Sequence, residues 1–152
     1  MRAVLQRVSR AKVTVGGETT GEIGCGVLIL LGVAPADDKA IAQQMADKIV
    51  NLRIFPDAED KMNLSLLDVQ GSVLVVSQFT LFADCTRGRR PYFGDAAEPQ
   101  EAEELCGAFK HMLRDQGLSV ESGRFGAMME VDLLNEGPVT IILDSDELSR
   151  KR

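Results

Sequence analysis

Residues 71–82, GSVLVVSQFTLF, decide the predicted fold of this chain. The β-branched, apolar run at 73–76 is typical of a strand that is buried on both faces. The strand then continues into three polar side chains and one aromatic ring, Ser77, Gln78, Phe79 and Thr80, with no charge among them. Neutral hydrogen-bonding groups at the end of a buried strand are a common way to place a site on a rigid element. The residue types alone favour a plainer interpretation, in which these side chains only satisfy the backbone at a strand end.

Strand patterns lie on both sides of this stretch. The strand-like runs are 1–8, 11–15, 18–23, 27–31, 118–122, 128–134 and 139–143. Gly16 and Gly17 both tolerate a positive φ and stand between two of these runs, so they predict a tight hairpin. Residues 64–69 fit neither pattern clearly.

Two segments change to a helical period. In residues 37–51, Ile41, Met45 and Ile49 recur every four positions. A second helix is predicted from Pro99, which suits a first helical residue, to a stop at Gly117. Its apolar stripe comprises Ala102, Leu105, Cys106, Phe109, Met112 and Leu113, and we interpret that stripe as core. The sequence therefore predicts an α+β fold in a single domain, a largely antiparallel β-sheet or open barrel with two amphipathic helices. The domain is predicted over 1–148, with a frayed basic tail over 149–152.

Composition narrows the class of protein. The net charge of −6 argues against indiscriminate binding of nucleic acid, although residues 87–91, RGRRP, form a compact basic loop suited to one specific polyanion. A solvated face is the plainer explanation of such a cluster. The longest apolar run, 27–31, is too short to cross a bilayer, and residues 1–10 lack the apolar region of a signal peptide. The three cysteines are far apart, which argues against a disulfide framework and a zinc site. We expect a cytoplasmic protein with no membrane contact.

The usual catalytic motifs are absent from the sequence. His111 is the only histidine, and it lies opposite the apolar stripe of the second predicted helix. A Ser–His or Cys–His arrangement is therefore improbable, and no P-loop, GxGxxG motif or metal-ligand spacing occurs. We expect no cofactor and no metal. An enzyme of this kind would act on a labile bond, by positioning it and stabilising an oxyanion with backbone N–H groups.

The Gly137-Pro138 pair is a second sequence feature that could mark a functional site. Proline cannot donate to a ladder, so between two strand-like runs it predicts a strand start or a turn. About one X–Pro bond in twenty is cis in folded proteins, typically in a tight turn. A cis bond here would leave both flanking carbonyls projecting from a narrow tip. For an isolated Gly-Pro pair, a plain turn is the simpler interpretation.

Residues 77–81, SQFTL, and 135–140, NEGPVT, together resemble the two signature motifs of the D-aminoacyl-tRNA deacylases. The resemblance extends over nearly the whole chain in collinear order. The other matching segments are LQRV at 5–8, GEIG at 21–24, KMN at 61–63, RGRRP at 87–91 and GRFGA at 123–127. One position departs from the pattern: Met128 stands where an acidic residue is expected before Met129.

The resemblance implies an editing hydrolase that cleaves the ester between a D-amino acid, or glycine, and the 3′-terminal adenosine of tRNA. It also implies a homodimer with active sites at the subunit interface, where the Gly-Pro tip of one subunit reaches into the site of the other. Gly137 and Pro138 would form a Gly-cisPro motif that holds the substrate amine, and Arg7 would brace it. An L side chain would then collide with rigid backbone, while a D side chain would point outward.

The resemblance also assigns roles in the reaction. Backbone N–H groups of Phe79 and Thr80 would form the oxyanion hole, and Gln78 would position the adenosine or the attacking water. Thr80 is a candidate nucleophile, but water with the ribose 2′-OH is favoured because no base stands ready to activate its hydroxyl. The substrate-binding set is completed by Ser77, Phe125 and Met129, of which the last two would line the adenosine pocket. Arg87, Arg89 and Arg90 would meet the acceptor end of the tRNA.

Two other classes stay open at this point. The first is a non-catalytic module that binds the tRNA end or an adenosine, which the lack of an obvious catalytic side chain supports. The second is a structural dimer with a chance Gly-Pro turn, which the collinear motifs disfavour.

Overall fold

The computed structural model describes residues 1–150, which form eight strands and four helices. The strands are β1 Arg2–Val15, β2 Glu18–Ile23, β3 Gly26–Gly32, β4 Phe55–Pro56, β5 Met62–Leu64, β6 Ser72–Ser77, β7 Val120–Ser122 and β8 Glu130–Asp144. The helices are α1 Lys39–Asn51, α2 Leu66–Val69, α3 Pro99–Asp115 and α4 Ser145–Leu148, and a 3₁₀ turn spans Phe79–Phe82.

Strand β1 organises the sheet. It pairs antiparallel with β2, β3 and β8, and the Gly16-Gly17 hairpin joins it to β2 as predicted. Strands β3, β6 and β7 pair parallel to one another. Parallel neighbours need a crossover connection, and α1 and α3 supply the two crossovers. The prediction of a single α+β domain with a largely antiparallel sheet is confirmed, and the two parallel pairings, β3 with β6 and β6 with β7, were not foreseen by the sequence analysis.

The sheet curls until the two strands at the ends of its pairing order nearly meet. Its order is β2-β1-β3-β6-β7, so β2 and β7 are the ends of that path. At Gly21 an added Cβ would lie 2.6 Å from the carbonyl oxygen of Ser122, so only glycine permits this approach of β2 to β7. The result is a nearly closed barrel.

The alternation of side chains along the central strands builds two cores. In β6, Val73 and Val75 face the helices, while Leu74 and Val76 face the barrel interior. All four are buried, because β6 is covered on both faces as its unbroken apolar run predicts. The helix-side core is filled chiefly from α1 and α3, by residues such as Met45.

Both predicted helices are present, at nearly the predicted bounds. The Asp38 carboxylate caps α1 by accepting from the Ile41 N–H at 2.9 Å. Helix α3 begins at Pro99, and Gly117 follows its end with a φ of 88°. The two short helices were not predicted; α2 begins at the capping box of Ser65 and occupies much of the ambiguous segment 64–69. None of the helices among residues 1–150 has the length and apolar composition to span a bilayer.

The structure corrects the prediction for the segment around Pro138. Two strand-like runs with a turn between them were expected, but 130–144 is one strand, β8, paired with β1 on both sides of Gly137-Pro138. Asn135 pairs with Val8 and Thr140 pairs with Gln6, so four residues of β8 lie opposite one residue of β1. We call these four residues, 136–139, the β8 bulge.

As far as it is described, the chain end continues the turn of α4. The Ser149 N–H donates to the Ser145 carbonyl at 3.2 Å, and the Arg150 N–H donates to the Glu147 carbonyl at 3.2 Å. The remainder of the predicted tail, 151–152, lies outside the described residues.

Candidate active site

The 77–80 segment lies where β6 leaves the sheet. The Gln78 N–H donates to the Leu31 carbonyl at 2.8 Å, which extends the pairing of β6 with β3 by one residue. The chain then tightens into the 3₁₀ turn, whose first internal bond runs from the Leu81 N–H to the Gln78 carbonyl at 3.2 Å. The opening N–H groups of such a turn have no acceptor within it, so the turn itself does not use those of Phe79 and Thr80.

Arg2 fixes this turn from the neighbouring strand. Its guanidinium donates to the Leu81 carbonyl at 2.9 Å and stacks over the Phe82 ring, 4.6 Å from the centroid. It also pairs with the Asp144 carboxylate at 2.9 Å. Partial burial disfavours the charged form of Asp144, but hydrogen bonds from the Asp146 N–H and from Arg2 outweigh it and lower the pKa of Asp144. The carboxylate therefore stays charged and holds Arg2 in place.

A cavity of about 750 Å³ opens beside the turn. Its walls come from β3, β6, the start of α3 and the segment before β8. The side chains that line it are mostly apolar or aromatic and include Val33, Val76, Phe79, Phe93, Phe125, Met128, Met129 and Val131. Phe79 and Phe93 meet edge to face with their centroids 5.1 Å apart. An apolar cavity with a few polar groups at one side is a typical small-molecule site.

The cavity brings together five of the predicted site residues and leaves four outside. Those that line it are Ser77, Gln78, Phe79, Phe125 and Met129. Thr80, Arg7, Gly137 and Pro138 are not among its lining residues within this described chain. Thr80 is hydrogen-bonded to a residue of the cavity wall, because the Gln78 Nε2 donates to the Thr80 Oγ1. Met128, where the resemblance predicts an acidic residue, also lines the cavity and is 90% exposed.

The β8 bulge carries Gly137 and Pro138, and the peptide bond between them is cis. Arg7, the one residue of β1 opposite the bulge, points at it. Its Nε donates to the Glu136 carbonyl at 2.9 Å, and its Nη1 donates to the Ile54 carbonyl at 2.7 Å. Arg7 therefore ties the bulge to the segment after α1, a contact pattern that fits the bracing role predicted for it.

Asn135 closes the base of the same bulge. Its Oδ1 accepts from the Val139 N–H at 2.8 Å. Its Nδ2 donates to the Val139 carbonyl and to the Thr140 Oγ1, both at 3.2 Å. The sequence analysis quoted Asn135 only as part of a motif. The sequence could have indicated this role, because Asn side chains commonly form hydrogen bonds to backbone groups a few residues away.

The sequence analysis also missed part of the cavity wall. Phe93 and Glu98 line it from the connection that leads into α3, and Glu98 is the single carboxylate among the lining residues. Nothing in the pattern of this connection pointed to the site. Cys106 contributes a thiol to the lining of the cavity. Burial raises the pKa of Cys106 to about 11, so the thiol is protonated and unreactive near neutral pH.

The other chemistry-bearing residues lie away from the cavity. His111 is exposed, as predicted. Arg87, Arg89 and Arg90 are exposed on a loop closed by the pairing of Asp84 with Tyr92. Within residues 1–150, no group of three or more His, Cys, Asp and Glu side chains is arranged to hold a metal ion.

Comparison with known proteins decides the family. The family model described as D-Tyr-tRNA(Tyr) deacylase matches residues 4–144. The chain belongs to the D-Tyr-tRNA(Tyr) deacylase family. It is therefore a hydrolase, and the resemblance inferred from the motifs is confirmed.

Relatives of this family match over nearly the full chain. The D-aminoacyl-tRNA deacylase of Dehalococcoides mccartyi is 59% identical over 145 residues, covering 95% of each chain. That of Bacillus licheniformis is 58% identical, covering 95% of this chain and 99% of the relative. That of Symbiobacterium thermophilum is 56% identical over 147 residues, covering 97% of each.

Two solved structures share the fold of this deacylase-family chain. A structure described as the c-Myc DNA Unwinding Element Binding Protein superposes with a TM-score of 0.88 at 42% identity, covering 95% of this chain and 98% of that one. A probable eukaryotic D-amino acid tRNA deacylase superposes with a TM-score of 0.81 at 18% identity, covering 93% and 97%.

Proposed function

We propose that this deacylase hydrolyses the ester between a D-amino acid, or glycine, and the 3′-terminal adenosine of tRNA, and that it rejects L-aminoacyl-tRNA. The observation that carries the proposal is the placement of Ser77, Gln78 and Phe79 on the wall of an apolar cavity of about 750 Å³ in a chain of this family. The curated relatives named above are D-aminoacyl-tRNA deacylases. Cytoplasmic aminoacyl-tRNA is the substrate pool that this activity would edit.

The cavity suits the terminal adenosine. Phe125 and Met129 line it and offer an aromatic face and a polarisable thioether to a purine ring. Phe79 is 56% exposed, which is unusual for phenylalanine and leaves ring surface for a ligand. Ser77 and Gln78 are half-buried at the polar side, where their hydroxyl and amide groups would orient the ribose and the ester.

The reaction needs little from side chains. Water attacks the ester carbonyl carbon, and the N–H groups of Phe79 and Thr80 stabilise the oxyanion that forms. The bond to the ribose 3′ oxygen then breaks, that oxygen takes up a proton, and the D-amino acid leaves as a free acid. The ribose 2′-OH, adjacent to the reacting ester, relays the proton. Gln78 orients the adenosine or the attacking water.

Thr80 fits a supporting role better than that of nucleophile. Its hydroxyl oxygen already accepts from Gln78 Nε2, and an amide N–H cannot take a proton from it. The Cys106 thiol, with its pKa raised to about 11 by burial, is not a base at neutral pH. A hydroxyl nucleophile needs an adjacent base, and these two neighbours do not provide one.

Chiral selection is assigned to the β8 bulge. In the family pattern, the Gly-cisPro carbonyls hold the substrate amine, and a fixed amine and ester leave no room for an L side chain. The bonds from Arg7 and Asn135 support this assignment, because they hold the bulge from both sides. Selection by steric rejection needs a rigid wall, since a mobile one would yield to the wrong substrate.

The proposed assembly is a homodimer whose sites lie at the subunit interface. Two observations support it. The edge of β8 away from β1 has no partner strand among the described residues, and an open edge invites pairing or covering. Large apolar side chains are exposed along β8: Val131 at 37%, Leu134 at 50% and Ile142 at 74%. A dimer through this face would cover them, and it would let the bulge of one subunit reach the cavity of the other.

The tRNA itself would be met in part by the basic loop. Arg87, Arg89 and Arg90 are exposed on a chain whose net charge is −6, so they offer a local exception suited to phosphates. Phosphate contacts position a nucleic acid without reading its sequence.

A multiple-turnover assay separates this enzyme from a module that only binds the tRNA end. D-tyrosyl-tRNA is incubated with one hundredth of its concentration of protein, and free D-tyrosine is measured. An enzyme releases many equivalents for each subunit. A binding module releases none and slows the spontaneous hydrolysis of the ester, which would contradict the proposal.

A further inference from the structure

A second, smaller cavity of about 240 Å³ adjoins the first. Ser77, Cys106 and Phe125 line both, so the two cavities are neighbours on either side of these residues. The smaller cavity extends from there toward β7 and the outer turns of α3. A ligand seated in the larger cavity could therefore extend a group into the smaller one.

The two cavities differ in chemistry. The larger is mostly apolar, whereas the smaller is lined by Lys110, Ser122 and Arg124, with one carboxylate from Glu103. Lys110 is half-buried, and its ammonium donates to the Ser122 hydroxyl at 3.4 Å. Within residues 1–150, neither Lys110 nor Arg124 lies within 4.0 Å of a carboxylate, so both positive charges are available to a ligand.

We propose that the smaller cavity binds the 5′-phosphate of the terminal adenosine, the group that links it to the preceding nucleotide. This inference rests on the proposed function, in which the adenosine occupies the larger cavity. An ammonium, a guanidinium and a hydroxyl together match the oxygens of a phosphodiester, and arginine binds such a group through two parallel hydrogen bonds. Lys110 is oriented by its bond to Ser122, and Arg124 is exposed.

Glu103 gives the site a preference for a tethered anion. Its carboxylate repels any phosphate, which weakens the binding of free phosphate from solution. A phosphate attached to an adenosine that is already bound arrives at a high effective concentration and tolerates that repulsion. The site then contributes to holding the acceptor end without being blocked by small anions.

The test is calorimetric and needs no turnover. Binding of adenosine, of adenosine 5′-monophosphate (AMP) and of adenosine with added inorganic phosphate is measured on the full chain. AMP is expected to bind about tenfold more tightly than adenosine, and inorganic phosphate is expected to bind weakly. Lys110→Met should reduce the advantage of AMP to about twofold, and Arg124→Gln should reduce it to about fourfold. Glu103→Gln should raise it by about threefold.

The matched control is Lys48→Met, which removes the same charge from an exposed position on α1 and lines neither cavity. It should leave the AMP-to-adenosine ratio unchanged. The inference is overturned if AMP binds no more tightly than adenosine, if neither binds, if Lys48→Met lowers the ratio as much as Lys110→Met, or if Glu103→Gln lowers it. Inorganic phosphate binding as tightly as AMP would assign the cavity to free anions instead.

Failure of the proposed function gives a different signature. A wild-type chain that does not hydrolyse D-tyrosyl-tRNA but prefers AMP in a Lys110-dependent way contradicts the deacylase proposal and leaves only a phosphate site for a bound nucleotide. Conversely, normal turnover with equal binding of AMP and adenosine removes only the phosphate subsite. In the deacylation assay, Lys110→Met should raise KM by about fivefold and leave kcat within twofold, since a phosphate contact acts equally on substrate and transition state.

Discussion

Replacing Asn135 by alanine tests whether the β8 bulge must be held at its base. The change removes three hydrogen bonds: one at 2.8 Å from the Val139 N–H, and two at 3.2 Å to the Val139 carbonyl and the Thr140 hydroxyl. Each is worth about 1 kcal/mol net, which sets an upper bound of about 3 kcal/mol. Asn135 and Val139 are only half-buried and Thr140 is exposed, so water replaces part of this loss. We expect Asn135→Ala to destabilise the bulge by about 1.5 kcal/mol.

The lost free energy is part of what holds the bulge in its arrangement. Because the proposed reaction needs that arrangement, the reaction should slow as well. About 1.4 kcal/mol corresponds to a tenfold change in rate, so kcat/KM for D-tyrosyl-tRNA should fall about tenfold in Asn135→Ala. The preference for the D over the L substrate should fall as well, because a loosened bulge admits an L side chain. Thr140→Val removes only one of the three bonds and should lower kcat/KM for D-tyrosyl-tRNA about threefold.

The control is Asn51→Ala. Asn51 also donates its side-chain amide to a backbone carbonyl, that of Asp47, at 2.8 Å, but it does so at the exposed end of α1. Its loss should leave both kinetic constants within the error of measurement. The reasoning is refuted if Asn135→Ala keeps kcat/KM and the D-to-L ratio within twofold of the wild type, or if Asn51→Ala lowers them equally.

Three further predictions follow from exposure and burial. Ile142→Glu places a charge on an apolar residue that is 74% exposed, so analytical ultracentrifugation should find monomers and kcat/KM should fall at least about tenfold; Met62→Glu, at a residue 58% exposed on β5, should stay dimeric. Thr80→Val keeps the backbone N–H, so kcat should stay within about tenfold of the wild type; a loss of about 10⁴-fold would identify a nucleophile. Burial raises the pKa of Cys106 to about 11, so iodoacetamide at pH 8 should label the two exposed cysteines and spare Cys106, with its labelling rate rising until the pH passes that value. Rapid labelling of Cys106 at pH 8 would contradict this.

The sequence was sufficient for features that depend on nearby residues. The burial of β6 on both faces, the Gly16-Gly17 hairpin and the apolar stripes of both long helices follow from residues that are neighbours or lie two to four positions apart. The ends of α3 were also well predicted, because Pro99 and Gly117 act on the turns next to them.

Pairing between distant strands was harder to predict. A strand buried on both faces has the same apolar run whether its neighbour is parallel or antiparallel, so the direction of β3, β6 and β7 left no mark in the sequence. The β8 bulge was mistaken for a turn for a similar reason. Pro138 excludes a regular ladder position, but only the register of β8 against β1 decides between a turn and a bulge.

The candidate site shows the same division. The motif at 77–80 was found because unusual polar residues end an apolar run, and the structure places three of its four residues on the cavity wall. Phe93 and Glu98 were missed because they lie in a connection without a periodic pattern, brought to the cavity by the packing of α3. The smaller cavity was also missed, since Lys110 and Arg124 are ordinary surface charges until the fold brings them together.

The central claim is that this chain removes D-amino acids from tRNA and spares L-amino acids. The most direct test compares the deacylation of D-tyrosyl-tRNA and L-tyrosyl-tRNA at matched concentrations with catalytic amounts of the wild-type protein. The account predicts rapid loss of the D ester and no loss of the L ester above the spontaneous rate. Equal loss of both esters, or negligible loss of both, would contradict it.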